Sequence, residues 1–455
     1  MTGTPLARVP QPPISREPMS DTRPTHRFDL VISGASFAGL ALARALGTAF
    51  TNDLRIAVVD RAPPIANDRA ANKQTAAPDA RAFALSAGAR RMLETLGIWP
   101  EIAASAEPVT GIEITDSSLE AGIRPVLLTY DNHLRDDRPS DNTPSGAPRA
   151  PAEPASHIVP ASVLERALQN AVAAQPNVTF FMPGEIAQFS GDGAAVDITL
   201  KSGETLAAPL LVGAEGRRSP SRESAGIKAV GWKYGQTAIV TTIAHERAHG
   251  GIATQHFLPA GPFAILPLPG NRACLTWTEE EHEASRILAL DDAGFLAEVE
   301  TRVGGRLGAI EVVGPRQSWP LDLHLARAYV APRYALIGDA AHGVHPIAGQ
   351  GVNLALRDVA ALSEIVADSL RLGLDPGSME ALGRYERWRR FDSFASAAAF
   401  DGLNRLFSND SMLVRAARDV GLGLVDRLPG LKSRLVAEAA GLTGDLPRLF
   451  KSERL

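Results

Sequence analysis

The chain has 455 residues, 45% of them hydrophobic, enough to bury a large core in more than one domain. Charged residues make up 21% and the formal net charge is only -5, so no basic stripe points to nucleic acid, and a small-molecule partner is expected. Cys274 is the single cysteine, which excludes disulfide frameworks, CxxC redox centres and cysteine-rich metal sites; one thiol suits a reducing cytoplasm without requiring it.

Residues 1–27 are rich in proline, threonine and arginine and lack the continuous apolar stretch of a secretory signal, so they read as a disordered leader. No run of about eighteen uncharged apolar residues occurs, so no transmembrane helix is expected, and attachment to a membrane surface stays open. The FDLVIS run at Phe28 predicts a strand, Leu40 to Leu46 a helix, and LRIAVVD from Leu54 to Asp60 a second strand. Together they have the length of a parallel crossover, and the fold opens as α/β. A further helix is expected to end at Leu96 to Trp99.

From Asp131 to Ser156 the composition turns to Asp, Asn, Pro, Ser and Ala, which cannot offset the entropy of ordering and predicts a flexible insertion. Val163, Leu164, Leu168 and Val172 give Ala161 to Ala173 the spacing of an amphipathic helix, and strand-like segments follow as far as Val212. The runs TAIVTTIAH, FAILPLP and ACLTWTE alternate apolar and polar positions and predict an antiparallel sheet between about 229 and 330. After Tyr334 an apolar strand returns in ALIGDA. From Gly351 onward the chain reads as mostly helical, with loops at Leu374 to Gly377 and Phe407 to Ser411.

Two motifs carry the chemistry. In the first, Gly34-Ala35-Ser36-Phe37-Ala38-Gly39 lies between a strand and a helix, with Asp60 ending the next strand. This matches a dinucleotide fingerprint: Gly34 permits a tight turn, Gly39 lets helix and sheet approach, and the helix N-terminus faces a pyrophosphate. Asp60 would accept hydrogen bonds from a ribose, and Arg61 beside it is assigned to the cofactor as well. Ser36 stands where a second glycine is usual, so its side chain would narrow the approach of the phosphates. An ordinary glycine turn with a solvated aspartate is the alternative.

The second motif runs Gly338-Asp339-Ala340-Ala341-His342, then His345-Pro346-Ile347-Ala348-Gly349-Gln350-Gly351-Val352-Asn353. Pro346, Gly349 and Gly351 shape a loop that frees backbone N–H groups ahead of a helix starting near Val352, where negative charge would be stabilised. A bland reading makes Asp339 a turn cap.

These residues resemble the family of flavin-dependent aromatic hydroxylases. The resemblance implies that Asp339, after Gly338, binds the ribityl chain of FAD, and that the turn through Gln350, Val352 and Asn353 runs beside the isoalloxazine ring. Asp79 to Ser86 (DARAFALS) also resembles the family and implies that Arg81 contacts FAD, which its fork of donors suits; a surface salt bridge is the alternative. A family motif of the form Gly-Ala-Asp-Gly-Arg, serving flavin and nicotinamide binding, is represented by Gly213-Ala214-Glu215-Gly216-Arg217. Glutamate replaces aspartate there, and Glu215→Asp is expected to leave turnover the same or better.

Within the family the sequence is most similar to hydroxylases of ubiquinone biosynthesis, through HPIAGQGVNLALRDVAAL, GPFAILPLP and DGLNRLFSND. The likeness implies a monooxygenase that hydroxylates the ring of a polyprenylated phenol with O2 and NAD(P)H through a C4a-hydroperoxyflavin. Other ubiquinone-biosynthesis proteins and the inner face of the membrane are then the further expected contacts. The expected architecture is α/β, α+β overall. A Rossmann-like FAD-binding domain with a parallel sheet takes 28–110, 157–228 and 331–375. A substrate domain around an antiparallel sheet takes 111–130 and 229–330, followed by C-terminal helices over 376–455.

Two other readings stand beside this one: a hydroxylase of another small aromatic, and a non-catalytic flavin-fold scaffold subunit, to which Ser36 and Glu215 lend weight. Related folds serve as halogenases or prenyl reductases, and the tryptophan-rich motif of halogenases is absent. His342 and His345 receive no catalytic role, because oxygen transfer from a flavin needs no protein nucleophile. Cys274, in an apolar segment, reads as a buried hydrophobe. Gly304 to Gly308 is glycine-rich but lacks a preceding apolar strand, so no second nucleotide domain is expected.

Overall fold

The computed structural model describes residues 26–63, 79–116, 126–134, 153–191, 193–346, 349–408 and 436–455. The leader predicted over 1–27 lies outside these up to residue 25; its last two residues, His26–Arg27, form a short strand parallel to Thr205–Ala208.

A six-stranded sheet carries the first motif. Its order is Val178–Phe181, Ile56–Val59, Leu30–Ser33, Leu211–Gly213, Tyr334–Leu336, Val330–Ala331, with the first five parallel and the last antiparallel. Leu30–Ser33 and Ile56–Val59 are buried throughout, as unbroken apolar strands covered on both faces should be. The helix Phe37–Ala49 follows the first strand and packs against both Ala161–Ala173 and the long helix Gly351–Arg371. The second motif is thereby brought beside the first.

A larger mixed sheet covers the other side. Its central strand, Ala229–His245, pairs antiparallel with Arg272–Glu280 and Gln317–Ala326. Beyond Arg272–Glu280 come Gly261–Leu268, Ile252–Leu258, then Gly111–Asp116 in parallel and Val126–Asp131. The two-residue period of a strand assigns the two faces. Ile239, Phe263, Leu275 and Trp277 pack with Ile287, Phe295 and Val299 of the helices Glu281–Leu288 and Asp292–Val303. Their neighbours Val240, Ala264, Thr276 and Thr278 point to the opposite side, into a cavity.

The segment 131–156, predicted as a flexible insertion, is ordered at both ends. His133–Leu134 pairs with Glu153–Pro154, and Asn132 Nδ2 donates to the carbonyl of Val109 and to Ser156 Oγ. Composition averaged over the whole stretch misses that its flanks borrow hydrogen bonds from neighbouring strands. Its middle, 135–152, lies outside the described residues.

The helix Met379–Phe407 starts at Ser378, whose hydroxyl accepts from the Ala381 N–H. Tyr385 and Arg389 of this helix are buried, which pins it to the core. Among the described residues no helix is long and apolar enough to cross a membrane. Gly304 to Gly308 follows the helix Asp292–Val303 rather than a strand, so it cannot serve as a nucleotide-binding turn.

Candidate active site

The two motifs meet over a cavity of about 1020 Å³ between the parallel sheet and the mixed sheet. Close packing makes the glycines of the turn obligatory. Gly34 has φ +113°, and a Cβ there would stand 2.4 Å from the Ala214 carbonyl oxygen; at Gly39 it would stand 1.9 Å from the Gly34 oxygen. Gly338 has φ +59°, and a Cβ there would stand 3.2 Å from the Cβ atoms of both Ala38 and Ala355, so the first helix, the Gly-Asp turn and the long helix close on one another. These three glycines shape the cradle from behind and are not part of the cavity wall.

Ser36 lines the cavity and precedes the helix Phe37–Ala49 without capping it. Its hydroxyl and the helix N-terminus are therefore both offered to whatever enters. Asp60 also lines the cavity: Oδ2 accepts from Ala35 N at 2.6 Å and Oδ1 from Ala62 N at 2.8 Å. A carboxylate has about four acceptor positions, so these bonds fix its direction and still leave capacity for a ligand hydroxyl. Arg61 is exposed and lies outside the cavity wall, because the chain turns outward after Asp60.

Arg81 lines the cavity with its guanidinium held by Asp79 at 2.6 Å, and lies 5.0 Å from the ring centre of Trp319. Pro346, Gly349, Gln350, Gly351 and Val352 line it as well, while Ile347 and Ala348 lie outside the described residues. Gly349 has φ +63° and packs on Ala84. Asn353 turns away from the cavity: its Oδ1 accepts from Ser86 N at 3.0 Å and its Nδ2 donates to the Ala84 carbonyl at 2.8 Å. It ties the loop to the strand Ala82–Ser86.

Asp339 points into the cavity, with Arg217 Nε at 3.4 Å from its Oδ2. Arg217 also bonds to Asp322 and, through Nη2, to the Val344 carbonyl at 3.1 Å. One side chain thus bridges the Gly-Asp turn, the loop after it and the mixed sheet. Glu215 is fully engaged: Oε1 accepts from Ser33 Oγ at 2.5 Å, and Oε2 from Ser219 Oγ and Ser221 Oγ at 2.5 Å each. Ser33 ends the strand that leads into the first motif, 182 residues away.

His342 is buried against Asp358, Nε2 to Oδ2 at 2.5 Å. Burial opposes charge on this ring, yet the Asp358 carboxylate outweighs it and holds the His342 pKa above the usual histidine range. His345 is also buried, edge-on to Tyr234 at 5.2 Å, with neither ring nitrogen hydrogen-bonded among the described residues. Burial, reinforced by the Arg217 charge, pushes it down to about 4. Cys274 is buried and burial pushes its thiol up to about 12, so it stays an inert thiol.

The opposite wall is apolar, built by Ile112, Ile114, Val240, Ala253, Phe257 and Leu266, with Tyr130, Thr276 and Thr278 as scattered polar groups. The cavity is therefore polar at one end, where N–H groups and acceptors converge, and greasy at the other. The donor set, the missing Cβ atoms and the volume of the cleft all fit FAD, with its pyrophosphate, ribityl chain and flat ring.

Fold and cradle define an FAD-dependent oxidoreductase. A profile of the family described as "FAD binding domain" matches residues 27–391, and the chain belongs to that family. It is 40% identical over 426 residues to "Ubiquinone hydroxylase UbiL" of Rhodospirillum rubrum, covering 93% of this chain and 92% of that protein. It is 30% identical to the "3-demethoxyubiquinol 3-hydroxylase" of Escherichia coli K12, over 91% of this chain and 98% of the relative. The structure of p-nitrophenol 4-monooxygenase PnpA from Pseudomonas putida superposes with a TM-score of 0.72 at 16% identity, covering 92% and 99% of the two chains, a likeness of fold. The chain is accordingly an FAD-dependent aromatic monooxygenase, as the motifs led one to expect, with NAD(P)H the co-substrate typical of its family.

Proposed function

We propose that this enzyme hydroxylates the ring of a polyprenylated phenol in ubiquinone biosynthesis, using NAD(P)H and O2. The observation that carries the reading is the continuity of the cavity: one space joins the polar cradle of Asp339, Ser36 and Arg81 to the apolar face of the mixed sheet. A phenol ring with a hydrocarbon tail has the same polarity along its length. The names of the relatives in Rhodospirillum rubrum and Escherichia coli add support.

Bound FAD, once reduced, supplies the activated oxygen that is transferred to the ring. The chain's own groups bind and orient. Ser36 and the N-terminus of Phe37–Ala49 take the pyrophosphate, Asp60 a ribose and Asp339 the ribityl chain. The N–H groups at Gly351–Val352, at a helix N-terminus, would stabilise negative charge on the ring. The strand faces bearing Val240, Ala264 and Leu266 exclude water and hold the hydrocarbon tail, which in turn orients the substrate ring.

The reading includes a peripheral contact with an anionic membrane. On Met379–Phe407, Phe391 and Phe394 are 79% and 60% exposed on one face with the exposed Arg384, Arg387 and Arg390. Cationic and aromatic side chains together suit a phosphate-bearing lipid surface. Leu403 of the same helix belongs to the cavity wall.

The test is oxidation of NADH or NADPH by the FAD-loaded protein with a prenylated phenol, followed by mass spectrometry. A product heavier by one oxygen, labelled from 18O2, is expected. Hydroxylation of tail-less phenols alone would favour another aromatic substrate, and FAD binding without turnover of any phenol would favour a scaffold. Flotation with vesicles with and without anionic lipid tests the membrane contact, which predicts binding to the anionic vesicles and its loss in a Phe391→Ser, Phe394→Ser variant.

A further inference from the structure

Asp358 lies on Gly351–Arg371, within one turn of the cavity-lining Ala355, and is fully buried. Its Oδ2 accepts from the backbone N–H of Gly338 at 3.0 Å and from His342 Nε2 at 2.5 Å, and its Oδ1 accepts from Arg389 Nε at 2.8 Å. Arg389, buried on Met379–Phe407, donates through Nη1 to Asp392, which also accepts from Arg357 Nη1 at 2.9 Å. Three segments converge on one carboxylate: the Gly-Asp turn, the segment after it and the last long helix.

Packing alone does not call for this. A buried ion pair can usually be replaced by apolar side chains of similar volume without loss of stability, so its presence asks what it holds in place. Of the three donors to Asp358, Arg389 has a second acceptor in Asp392, whereas the Gly338 N–H and His342 Nε2 have Asp358 alone among the described residues, and Gly338 is followed directly by Asp339. Gly338 itself sits at φ +59°, a conformation that side-chain sterics do not impose. Without the Asp358 acceptor, the turn would be free to relax, and Asp339 with it.

We infer that Asp358, supported by His342 and Arg389, is a positioning residue that fixes the Gly338–Asp339 turn and so acts on FAD affinity through Asp339, without touching the cofactor. This rests on Asp339 being a flavin ligand, and the experiment separates the two claims. Apoprotein would be titrated with FAD for Asp358→Asn, Asp339→Ala and the double variant, with circular dichroism as the check on folding. The amide keeps an acceptor but loses the charge, so Asp358→Asn should weaken FAD about tenfold. Because its effect passes through Asp339, the double variant should bind no more weakly than Asp339→Ala alone.

Should Asp358→Asn fail to fold, His342 offers the same comparison. His342→Gln keeps an N–H donor toward Asp358 and should hold affinity within about threefold, whereas His342→Leu should lose it. Unchanged affinity in Asp358→Asn, or additive losses in the double variant, would overturn the positioning role while leaving Asp339 a ligand. Full affinity in Asp339→Ala would instead overturn the ligand and the positioning role together.

Discussion

Arg217 Nε stands 3.4 Å from Asp339 Oδ2, so the carboxylate of the Gly-Asp turn faces the cavity with a cation already beside it. The arrangement orients Asp339 and leaves an acceptor for a ligand hydroxyl. Hydrogen bonds to a charged group contribute about 1.5–3 kcal/mol, so Asp339→Ala should weaken FAD by roughly one to two orders of magnitude. Asp339→Asn should cost less, since its carbonyl still accepts. The purified alanine variant should be pale but folded, checked by flavin absorbance after gel filtration and by circular dichroism.

Glu215→Asp was expected from sequence to be neutral or better, because aspartate is the family's residue at this place. The contacts of Glu215 bear on stability rather than on turnover. Glu215 reaches Ser33 with one oxygen and Ser219 and Ser221 with the other, and a side chain one methylene shorter cannot span both sets. The variant should lose about 1–3 kcal/mol of stability through the hydrogen bonds left unmade. Its thermal midpoint should fall by several degrees, read by differential scanning calorimetry on the apoprotein. An unchanged midpoint would show that the serines do not need the longer carboxylate.

Glu215 also marks the limit of what was legible. The turn glycines were readable because a positive φ and a missing Cβ leave a one-residue signature, and the cavity wall because strands alternate, as Ile239 and Val240 do. Adjacency within a motif does not say where a side chain points. Arg61 faces outward and Asn353 turns back to Ala84 and Ser86, although both sit among cavity-lining neighbours. The partners of Glu215 and Asp358 lie on other elements, so no local pattern announces them.

His345 and His157 predict acid sensitivity. Both are held neutral by burial, with help from the Arg217 and Arg90 charges respectively, and both are pushed down to about 4. The unfolded chain takes up protons first, near the usual histidine value of about 6.5, so stability is complete above that pH and drains away as pH falls toward about 4. For the fully buried His345 the slope is about 1.4 kcal/mol per pH unit within that window. His345→Leu loses no hydrogen bond to any described residue, because neither ring nitrogen makes one there. Urea unfolding from pH 7 to pH 4.5 should show a flatter decline for the variant than for the wild type. Parallel declines would mean that His345 takes up its proton equally in the folded and the unfolded chain.

The apolar end of the cavity makes the most specific claim about substrate. Ala264 lies on Gly261–Leu268, between Phe263 and Ile265, which face the helices, so its own side chain enters the cavity. Ala264→Phe adds a ring there, on a strand that carries none of the FAD-cradle residues. Overfilling a packed wall costs about 1–3 kcal/mol, which a domain of this size should survive, so FAD content should stay at the wild-type level. A tail excluded from this wall forfeits about 25 cal/mol for each Å² of apolar surface it would have buried. The kcat/KM for a long-tailed phenol should therefore fall by roughly tenfold or more, while that for a phenol with a single prenyl unit changes little. Equal losses for both would place the reacting ring, not the tail, against Ala264. No loss for either would remove the mixed sheet from substrate binding and leave the cavity as a cofactor site alone.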